Sequence, residues 1–388
     1  MSHHPRTVRS TSLPGIALTG IGALALLLSA CGSSEEGSGG AGGSGTSKPS
    51  YDTAAVSAGA SWLAAQAPKG VVHNDQYDVD DEGLSVDVAL ALHAVGQQDD
   101  TVRAVADHLA TGIKAYVAPG YGTLTSAGST AKAAVLAETV GDDPTDVGGI
   151  DLVSRLEATV AAKGPAQGRV EDRVDAKQKG AADYANTIAQ AYAVQALDGA
   201  GSDSAADATS YLLQQQCADG WFRLDFPATD AKAQGCDADP RSAPDIDATA
   251  FAVRALDGSD DPQAEAAADK AVSWLESVQA PDGSFGGEPV GRTPNANSTG
   301  LVGWVLGDLG ETDAAQQAAT WVAAHQLGDC PGTPAADAGA VAYDDAALSA
   351  AGAKGITVKT QDQFRRAGAQ AVPALQWLPA GTTAKASC

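Results

Sequence analysis

The sequence predicts an all-α protein whose helices form two concentric layers. Apolar residues recur at helical spacing in six short segments rich in alanine and leucine, and each segment is followed by a glycine. More polar, amphipathic segments alternate with them along the chain. No stretch of similar length shows the two-residue alternation or β-branched enrichment of a strand, so we expect strands only as short hairpins in loops.

The two kinds of helix are expected to occupy different layers. The apolar segments carry few charges, as helices buried on most sides should, and are predicted to form an inner ring. They comprise residues 86–95, 131–140, 188–197, 248–256, 300–309 and 345–353. The amphipathic segments are predicted to form the outer ring. They comprise residues 53–66, 101–116, 150–162, 204–216, 263–279 and 313–326, and a last helix over 361–377 is expected to close the chain.

The N terminus has the layout of a bacterial export signal. Arg6 and Arg9 precede an apolar run over residues 13–28, which leads into Leu-Ser-Ala-Cys at 28–31. This ending resembles the lipobox of bacterial lipoproteins. The resemblance implies a signal peptide over residues 1–30, cleavage before Cys31, and lipid such as palmitate on that cysteine. The protein is then expected on the outer face of the cytoplasmic membrane, held by membrane lipid.

Two other interpretations of this segment are less favoured. One is a plain secretory signal followed by a chance cysteine, and the other is a membrane-spanning helix. The apolar run contains Pro14, Gly15, Gly20 and Gly22 and is at the short end for a span of about 20 apolar residues. Residues 31–50 are mostly Gly, Ser and Ala, which predicts a flexible tether before a folded domain at 51–388.

The acidic composition argues against nucleic acid as a partner. The formal net charge is −24 at pH 7. Loss of the first thirty residues would remove two arginines and make the charge more negative. Binding to a nucleic acid backbone needs clustered Lys and Arg. Solubility explains the acidity more simply than a specific cationic ligand does.

Four cysteines remain in the domain, and in an exported protein an even count favours disulfides. Three pairings are possible. We expect Cys217 to pair with Cys236, and Cys330 to pair with Cys388. Their spacing fits no zinc pattern, and the histidines of the domain are scattered.

Several outer helices end in the same way. An aromatic residue and a leucine are followed by a glutamine and then by Asp-Gly-x-Phe in residues 211–222 and again in 274–285, with degraded copies at 62–66 and 321–326. This pattern resembles the QW repeat of squalene-hopene cyclases and the wider terpenoid cyclase and protein prenyltransferase superfamily. The resemblance implies a single α/α toroid, an α6/α6 barrel. It also implies that Gln and Phe tie neighbouring outer helices together at these positions: Gln216, Phe222, Gln279 and Phe285.

One acidic motif suggests catalysis. Residues 245–250 read Asp-Ile-Asp-Ala-Thr-Ala, which resembles the Asp-x-Asp-Asp-Thr-Ala motif of class II terpene cyclases. The resemblance implies that Asp247 is a general acid, with Asp245 sharing its proton. Ala248 replaces one carboxylate of that set. Helix capping is nevertheless the favoured role for Asp247, because other inner helices open with similar polar residues. These are Ser129-Thr130, Asn186-Thr187 and Ser298-Thr299.

A second acidic string covers residues 78–81 and spells the cyclase motif without the Thr-Ala that should follow. Asp78, Asp80 and Glu82 also alternate as in a calcium loop, although Ala89 stands where an EF-hand needs Glu. A solvated acidic loop is the first interpretation, a calcium site the second and a cyclase acid the third.

Aromatic residues on or near the inner helices predict a pocket for a large, partly apolar ligand, with ordinary helix packing as the alternative. They are Tyr184, Tyr192, Trp221, Phe251, Phe285, Trp304 and Tyr343. Other chemistries of the superfamily lack their residues here. There are no counterparts of the prenyltransferase zinc ligands and no Cys-Gly-Glu-Gln thioester string.

The sequence therefore favours a lipid-anchored binding protein that captures a bulky metabolite and hands it to a membrane transporter. Cyclases of the superfamily usually place the reacting cavity between two toroids, and this chain has room for one. Residues 247–250 and 298–300 are also similar to inner-helix strings of cobalamin carriers of the intrinsic-factor type, which implies a corrinoid as the first ligand to test. The alternatives are an exported cyclase or hydrolase that uses Asp247, and a cell-envelope scaffold.

Overall fold

The computed structural model describes residues 50–120, 122–179, 181–287, 290–328 and 333–382, so Cys31, Cys330 and Cys388 lie outside the described residues. In chain order the helices are α1 (Thr53–Gln66), α2 (Glu82–Ala94), α3 (Asp99–Val117), α4 (Ala127–Thr139), α5 (Leu152–Glu157), α6 (Thr187–Gly199), α7 (Ala205–Gln214), α8 (Ile246–Leu256), α9 (Pro262–Val278), α10 (Ala296–Asp308), α11 (Thr312–Ala324), α12 (Asp345–Lys354) and α13 (Gln361–Ala371). A 3₁₀ turn, Val372–Trp377, continues α13. None of these helices combines the length and the apolar character needed to cross a membrane.

The helices form the two predicted layers. Helices α2, α4, α6, α8, α10 and α13 each pack against the next, and α13 packs against α2, which closes an inner ring of six. Helices α1, α3, α5, α7, α9 and α11 pack around this ring. Most residues of the inner helices are buried, because each has an inner neighbour on both sides and an outer helix behind it.

The sixth inner helix is not the segment that the sequence suggested. Residues 345–353 lie within α12, which buries only Leu348 and Ala351, while α13 packs between α10 and α2. The approach of α13 to α10 is close because Gly300 has no side chain, and a Cβ there would overlap Ala371. The buried residues of α13 are mainly Phe, Ala and Gly, whereas its Gln, Asp and Arg residues give the helix a low mean hydropathy that concealed its burial.

Neighbouring inner helices run in the same direction, because residues at matching positions meet. The rings of Tyr192 in α6 and Phe251 in α8 have centroids 5.3 Å apart. Near the start of the helices, Arg366 of α13 pairs with Asp81, which caps α2. All six inner helices therefore begin at the same end of the ring, which we call the mouth.

Glutamines at the ends of outer helices tie the outer layer together, as the QW resemblance implied. The Gln216 amide donates to the carbonyl of Ala267 in α9 at 2.8 Å, and Gln279 donates to Ala314 in α11 at 3.0 Å. Phe222 and Phe285 are fully buried, and their backbone N–H groups donate to the hydroxyls of Thr249 and Thr299 at 2.9 Å. Each tie therefore joins one outer helix to the next and to an inner helix.

Strands occur only as short hairpins among the described residues, as expected. Strands β1 (Val72–Asn74) and β2 (Val79–Asp81) pair antiparallel immediately before α2. Strands β3 (Thr123–Thr125) and β4 (Arg173–Val174) pair in the same way. The disulfide between Cys217 and Cys236 is present, with their Cα atoms 4.9 Å apart, which confirms that pairing.

Candidate functional site

A cluster of aromatic and basic side chains occupies the interior of the inner ring. Tyr192, Phe251 and Trp304 lie on three successive inner helices, α6, α8 and α10. Arg254 lies over the ring of Trp304 at 3.8 Å from its centroid, and Lys132 of α4 lies 5.9 Å from the ring centroid of Tyr192. We call these five side chains the lumen cluster.

The two cations of the lumen cluster differ in how they are satisfied. The Lys132 ammonium pairs with the Asp87 carboxylate at 2.5 Å and donates to the carbonyl of Gly83 at 3.0 Å. Arg254 has no hydrogen bond or ion pair with any residue in the described part of the chain, although part of its surface is accessible. Burial lowers the pKa of Arg254, while the nearby Tyr192 and Asp308 oppose that change. Arg254 is therefore a cation without an acceptor.

The phenol groups in this region are also enclosed. Burial raises the pKa of Tyr192 and of Tyr116 well above the ordinary value, so both hydroxyls stay neutral and can donate. Tyr116 has the Ser129 hydroxyl beside it, whereas the Tyr192 hydroxyl has no hydrogen-bond partner among the described residues. The lumen thus presents an unused O–H donor close to the unused donors of Arg254.

The acidic motif at the start of α8 divides into two roles. Asp245 is the helix cap, since its carboxylate accepts from the N–H of Ala248 at 2.8 Å, and it pairs with Arg292 at 3.1 Å. Asp247 is therefore not the cap, so the favoured prediction of a capping role for Asp247 is wrong. The caps of α4 and α10 also lie earlier than expected, each by three residues, at Ser126 and Asn295.

Asp247 is a half-buried residue whose carboxyl group has unused hydrogen-bonding capacity. Its Oδ1 atom is buried and has no hydrogen-bond partner among the described residues. Burial raises its pKa to about 6, the Ser298 hydroxyl opposes this rise, and the charge of Asp245 adds to it. Because Asp245 is held by the helix end and by Arg292, the two carboxyls act through charge and do not share a hydrogen bond.

Two cavities open at the mouth. One of about 340 Å³ lies at the start of α4 and α6 and is lined by residues that include Tyr116, Lys132, Tyr184 and Tyr192. The other, of about 320 Å³, lies before α8 and is lined by three arginines and three aspartates together with apolar residues. Its charged lining comprises Arg223, Asp225, Asp239, Arg241, Asp245 and Arg292.

The large hydrophobic side chains that are exposed also gather at the mouth. Each of them lies in a loop or hairpin immediately before α2, α4, α6 or α13, and we call this set the apolar rim. Within the described residues it comprises Tyr77, Val79, Leu124, Tyr184 and Val358. The mouth therefore has an apolar arc on the side of these helices and a charged arc before α8.

The predicted aromatic residues divide between the lumen and the core. Tyr192, Phe251 and Trp304 come together in the lumen, and Tyr184 is on the rim with 73% of its surface exposed. Phe285 is fully buried in the core, while Trp221 and Tyr343 are half-buried against it, and none of these three lines a mouth cavity.

Sequence reasoning missed the basic members of the lumen cluster. Lys132 and Arg254 interrupt inner helices that otherwise carry few charges. A single charge in such a helix is costly to bury without a function or a partner. The charges of these two residues could therefore have indicated a site inside the ring.

The acidic string before α2 does not assemble a metal site. Asp78 is almost fully exposed, Asp80 accepts a hydrogen bond from the His73 ring at 2.8 Å, and Glu82 begins α2. Nowhere in the described ranges do three or more His, Cys, Asp or Glu side chains gather as metal ligands. The calcium hypothesis therefore has no set of converging ligands at these positions.

Comparison with known proteins identifies the fold. No protein-family model matches the chain, and no curated protein matches it by sequence. Among solved structures, the unsaturated glucuronyl hydrolase from Bacillus sp. GL1 is 11% identical with a TM-score of 0.55, over 84% of this chain and 99% of that one. The type II terpene cyclase MstE from Scytonema is 13% identical with a TM-score of 0.53, over 83% of this chain and 96% of that one.

A larger enzyme is similar over part of its length. The chain spans half the length of the ent-copalyl diphosphate synthase from Streptomyces platensis, with 18% identity, 76% of this chain covered and a TM-score of 0.47. At these identities the similarity to solved structures concerns the fold and not the activity. The protein is a single α/α toroid, the fold that the QW-type repeats of its sequence implied.

Proposed function

We propose that the protein captures a bulky, partly apolar small molecule at the mouth of its toroid. The observation that carries this proposal is the apolar rim, because all of its members surround one end of the ring. Exposed apolar groups gathered at one place usually mark a binding surface, whereas isolated ones are ordinary. The charged arc before α8 gives the same mouth groups that can orient polar substituents.

The size of the cavities constrains how such a ligand binds. Volumes of about 320 and 340 Å³ are at the lower end of the range for ligand pockets. A corrinoid, the first ligand suggested by the sequence, is too large to enter either cavity. It would lie across the mouth on the apolar rim, with a substituent pointing into the lumen.

Membrane attachment completes the proposal. A signal peptide, lipid on Cys31 and a flexible tether would hold the domain at the outer face of the cytoplasmic membrane, where it could pass its ligand to a transporter. Metabolic labelling with a palmitate analogue tests the anchor. We expect the wild-type protein to be labelled and to partition with detergent, and Cys31→Ser to lose both properties.

Ligand capture is tested with the full-length protein purified in detergent. Native mass spectrometry of protein from its own membrane should reveal a co-purifying mass, and equilibrium dialysis with cobalamin and cobinamide tests the corrinoid. The double variant Tyr184→Ser with Leu124→Ser should weaken retention of the ligand at least tenfold. Asp260 is exposed in the loop after α8, at the end of the ring opposite the mouth, so Asp260→Ser should leave retention unchanged. If no mass co-purifies and no corrinoid is retained, the proposal is wrong.

A second function is favoured by Asp247. A carboxyl with one buried, unpartnered oxygen and a pKa raised to about 6 is suited to donate a proton, as the cyclase-like motif implied. Incubation with geranylgeranyl substrates, followed by mass spectrometry, tests this alternative. Turnover that Asp247→Asn abolishes would establish an enzyme, whereas absence of turnover with ligand capture intact would exclude these substrates.

A further inference from the structure

We infer that the lumen contains an oxyanion subsite, in which the Arg254 guanidinium binds a carboxylate or phosphate group of the ligand with help from the Tyr192 hydroxyl. This inference rests on the proposed ligand capture and names the chemistry of the group that enters the ring.

Arg254 differs from every other arginine in the described part of the chain. Each of the others has at least one hydrogen-bond acceptor, including the three that are most buried. Arg169 donates to the carbonyl of Pro227 at 2.7 Å, Arg223 to Gln215 Oε1 at 2.7 Å, and Arg365 to the carbonyl of His73 at 2.7 Å. The fold therefore satisfies its structural arginines and leaves Arg254 free.

The Arg254 guanidinium has donors to spare for a ligand. Part of its surface is accessible, and contact with the face of Trp304 offers its five N–H donors no acceptor oxygen. A bidentate carboxylate or phosphate would satisfy two donors at once and neutralise the charge. Carboxylate and phosphate are therefore the ligand groups that the planar Arg254 guanidinium is best suited to bind.

The carboxylates of the protein do not fill this role. Asp87 is already paired with Lys132 at 2.5 Å. Asp308 is near enough to act on Arg254 through charge, but it forms no ion pair with it. Asp247 lies two turns earlier on the same helix, close to Ser298. An anion brought by the ligand is therefore the missing partner.

The aromatic members of the cluster indicate what carries the oxyanion. Tyr192 and Phe251 pack together at 5.3 Å between ring centroids, and the Tyr192 hydroxyl lies near the Arg254 guanidinium. A flat unsaturated group next to the oxyanion would stack on these rings while its oxygens reach Arg254 and Tyr192. Aromatic carboxylates and aryl phosphates are the simplest probes of this arrangement.

The experiment measures binding of benzoate, phenyl phosphate and inorganic phosphate to the full-length protein by calorimetry and tryptophan fluorescence. Benzamide, which is neutral, is the matched ligand control. We expect benzoate or phenyl phosphate to bind more tightly than benzamide, and the preference between them to distinguish a carboxylate subsite from a phosphate subsite. Binding of inorganic phosphate alone would show that the oxyanion suffices without the flat group.

Variants separate the subsite from general effects. Arg254→Gln should weaken benzoate or phenyl phosphate binding at least tenfold, and Tyr192→Phe should weaken it several-fold. Arg103→Gln, which removes an exposed arginine of α3 paired with Asp142, should leave it unchanged. If Arg254→Gln does not fold by circular dichroism, Arg254→Lys replaces it. That variant keeps the charge without the planar fork and should bind benzoate more weakly than the wild type.

Two results would overturn the inference. One is equal binding of the anionic probes by the wild type and the Arg254 variant, and the other is no binding of any anionic probe. If a corrinoid or a co-purifying ligand is still retained in either case, capture at the mouth stands and only the subsite is wrong. Probe binding that depends on Arg254 without any retained large ligand would support the subsite and overturn the capture of a bulky molecule.

Discussion

The side-chain amide of Gln326 donates a hydrogen bond to the backbone carbonyl of Ala55 at 2.9 Å, which joins positions 271 residues apart. The same amide donates to the carbonyl of Gly339 at 3.1 Å. Gln326 follows α11 and Ala55 lies in α1, so this contact closes the outer layer where the two ends of the domain meet. It repeats the ties made by Gln216 and Gln279 between earlier helices.

Replacing Gln326 with Ala should destabilise the whole toroid. The buried carbonyl of Gly339 and the half-buried carbonyl of Ala55 would lose this donor, and the free energy of unfolding should fall by about 1–3 kcal/mol. Urea unfolding followed by circular dichroism measures it. Gln214→Ala is the control, because Gln214 is exposed and bonds only within its own helix. Equal stability of the two variants would contradict a closing role for Gln326.

The disulfide between Cys217 and Cys236 should stabilise the domain by about 3 kcal/mol, since it closes a loop with a sequence separation of 19 residues. Replacing both cysteines with Ser should lower the free energy of unfolding by this amount. The wild type should lose a similar amount in reductant. A double variant as stable as the wild type would show that the loop is held by its other contacts, among them the buried Arg223.

Asp247→Asn should stabilise the protein at alkaline pH. The pKa of about 6 in the folded state exceeds the ordinary value of 3.8, so the native state binds more protons between these values. Stability therefore falls as pH rises from about 4 to about 6 and is level above that. Removing the charge should raise the free energy of unfolding at pH 8 by at most about 3 kcal/mol, at roughly 1.4 kcal/mol per pKa unit.

Urea titrations at pH 4 and pH 8 check this prediction, with little difference between the variant and the wild type expected at pH 4. Asn keeps the size and the polar character of the side chain, so the comparison isolates ionisation. A variant that is less stable than the wild type at both pH values would mean that Asp247 has a structural role. It would contradict the prediction that the charged form of Asp247 destabilises the fold.

Asp245→Ala should act in the opposite direction. It removes the N-cap of α8 and the partner of Arg292, so a loss of about 1–2 kcal/mol in the free energy of unfolding is expected. Asp257→Ala at the other end of α8 is the comparison, because Asp257 is exposed and is not an N-cap. It should lower the free energy of unfolding by less than about 0.5 kcal/mol. Similar losses for the two variants would argue against the capping role.

Much of the fold was predictable because its signals are local. Helical spacing, breaker glycines and the Gln-x-x-Asp-Gly endings each depend on neighbouring residues, and the structure confirms two layers, the α/α toroid and the glutamine ties. Capping was predictable in kind but not in position, because Asp245 and Asp247 are both acceptable N-cap residues. Which of them caps depends on where the incoming loop meets α8.

The lumen was less predictable for a different reason. The aromatic residues Tyr192, Phe251 and Trp304 were recognisable from their places on inner helices. Phe285 and Trp221, in the connecting loops, were predicted to line the same pocket, but they lie in the core or against it. Local spacing does not tell whether an aromatic ring packs inside a wall or lines the space that the wall encloses.

The sequence by itself predicted the helical layers and favoured the pairing of Cys217 with Cys236, because each depends on residues close together in the chain, and the QW-type repeats implied the ties between outer helices. Only the tertiary structure decided that α13, and not the segment at 345–353, completes the inner ring. It also decided that Lys132 finds a carboxylate while Arg254 finds none. Partners of a buried charge come from helices far apart in the chain, so its satisfaction depends on how the ring closes.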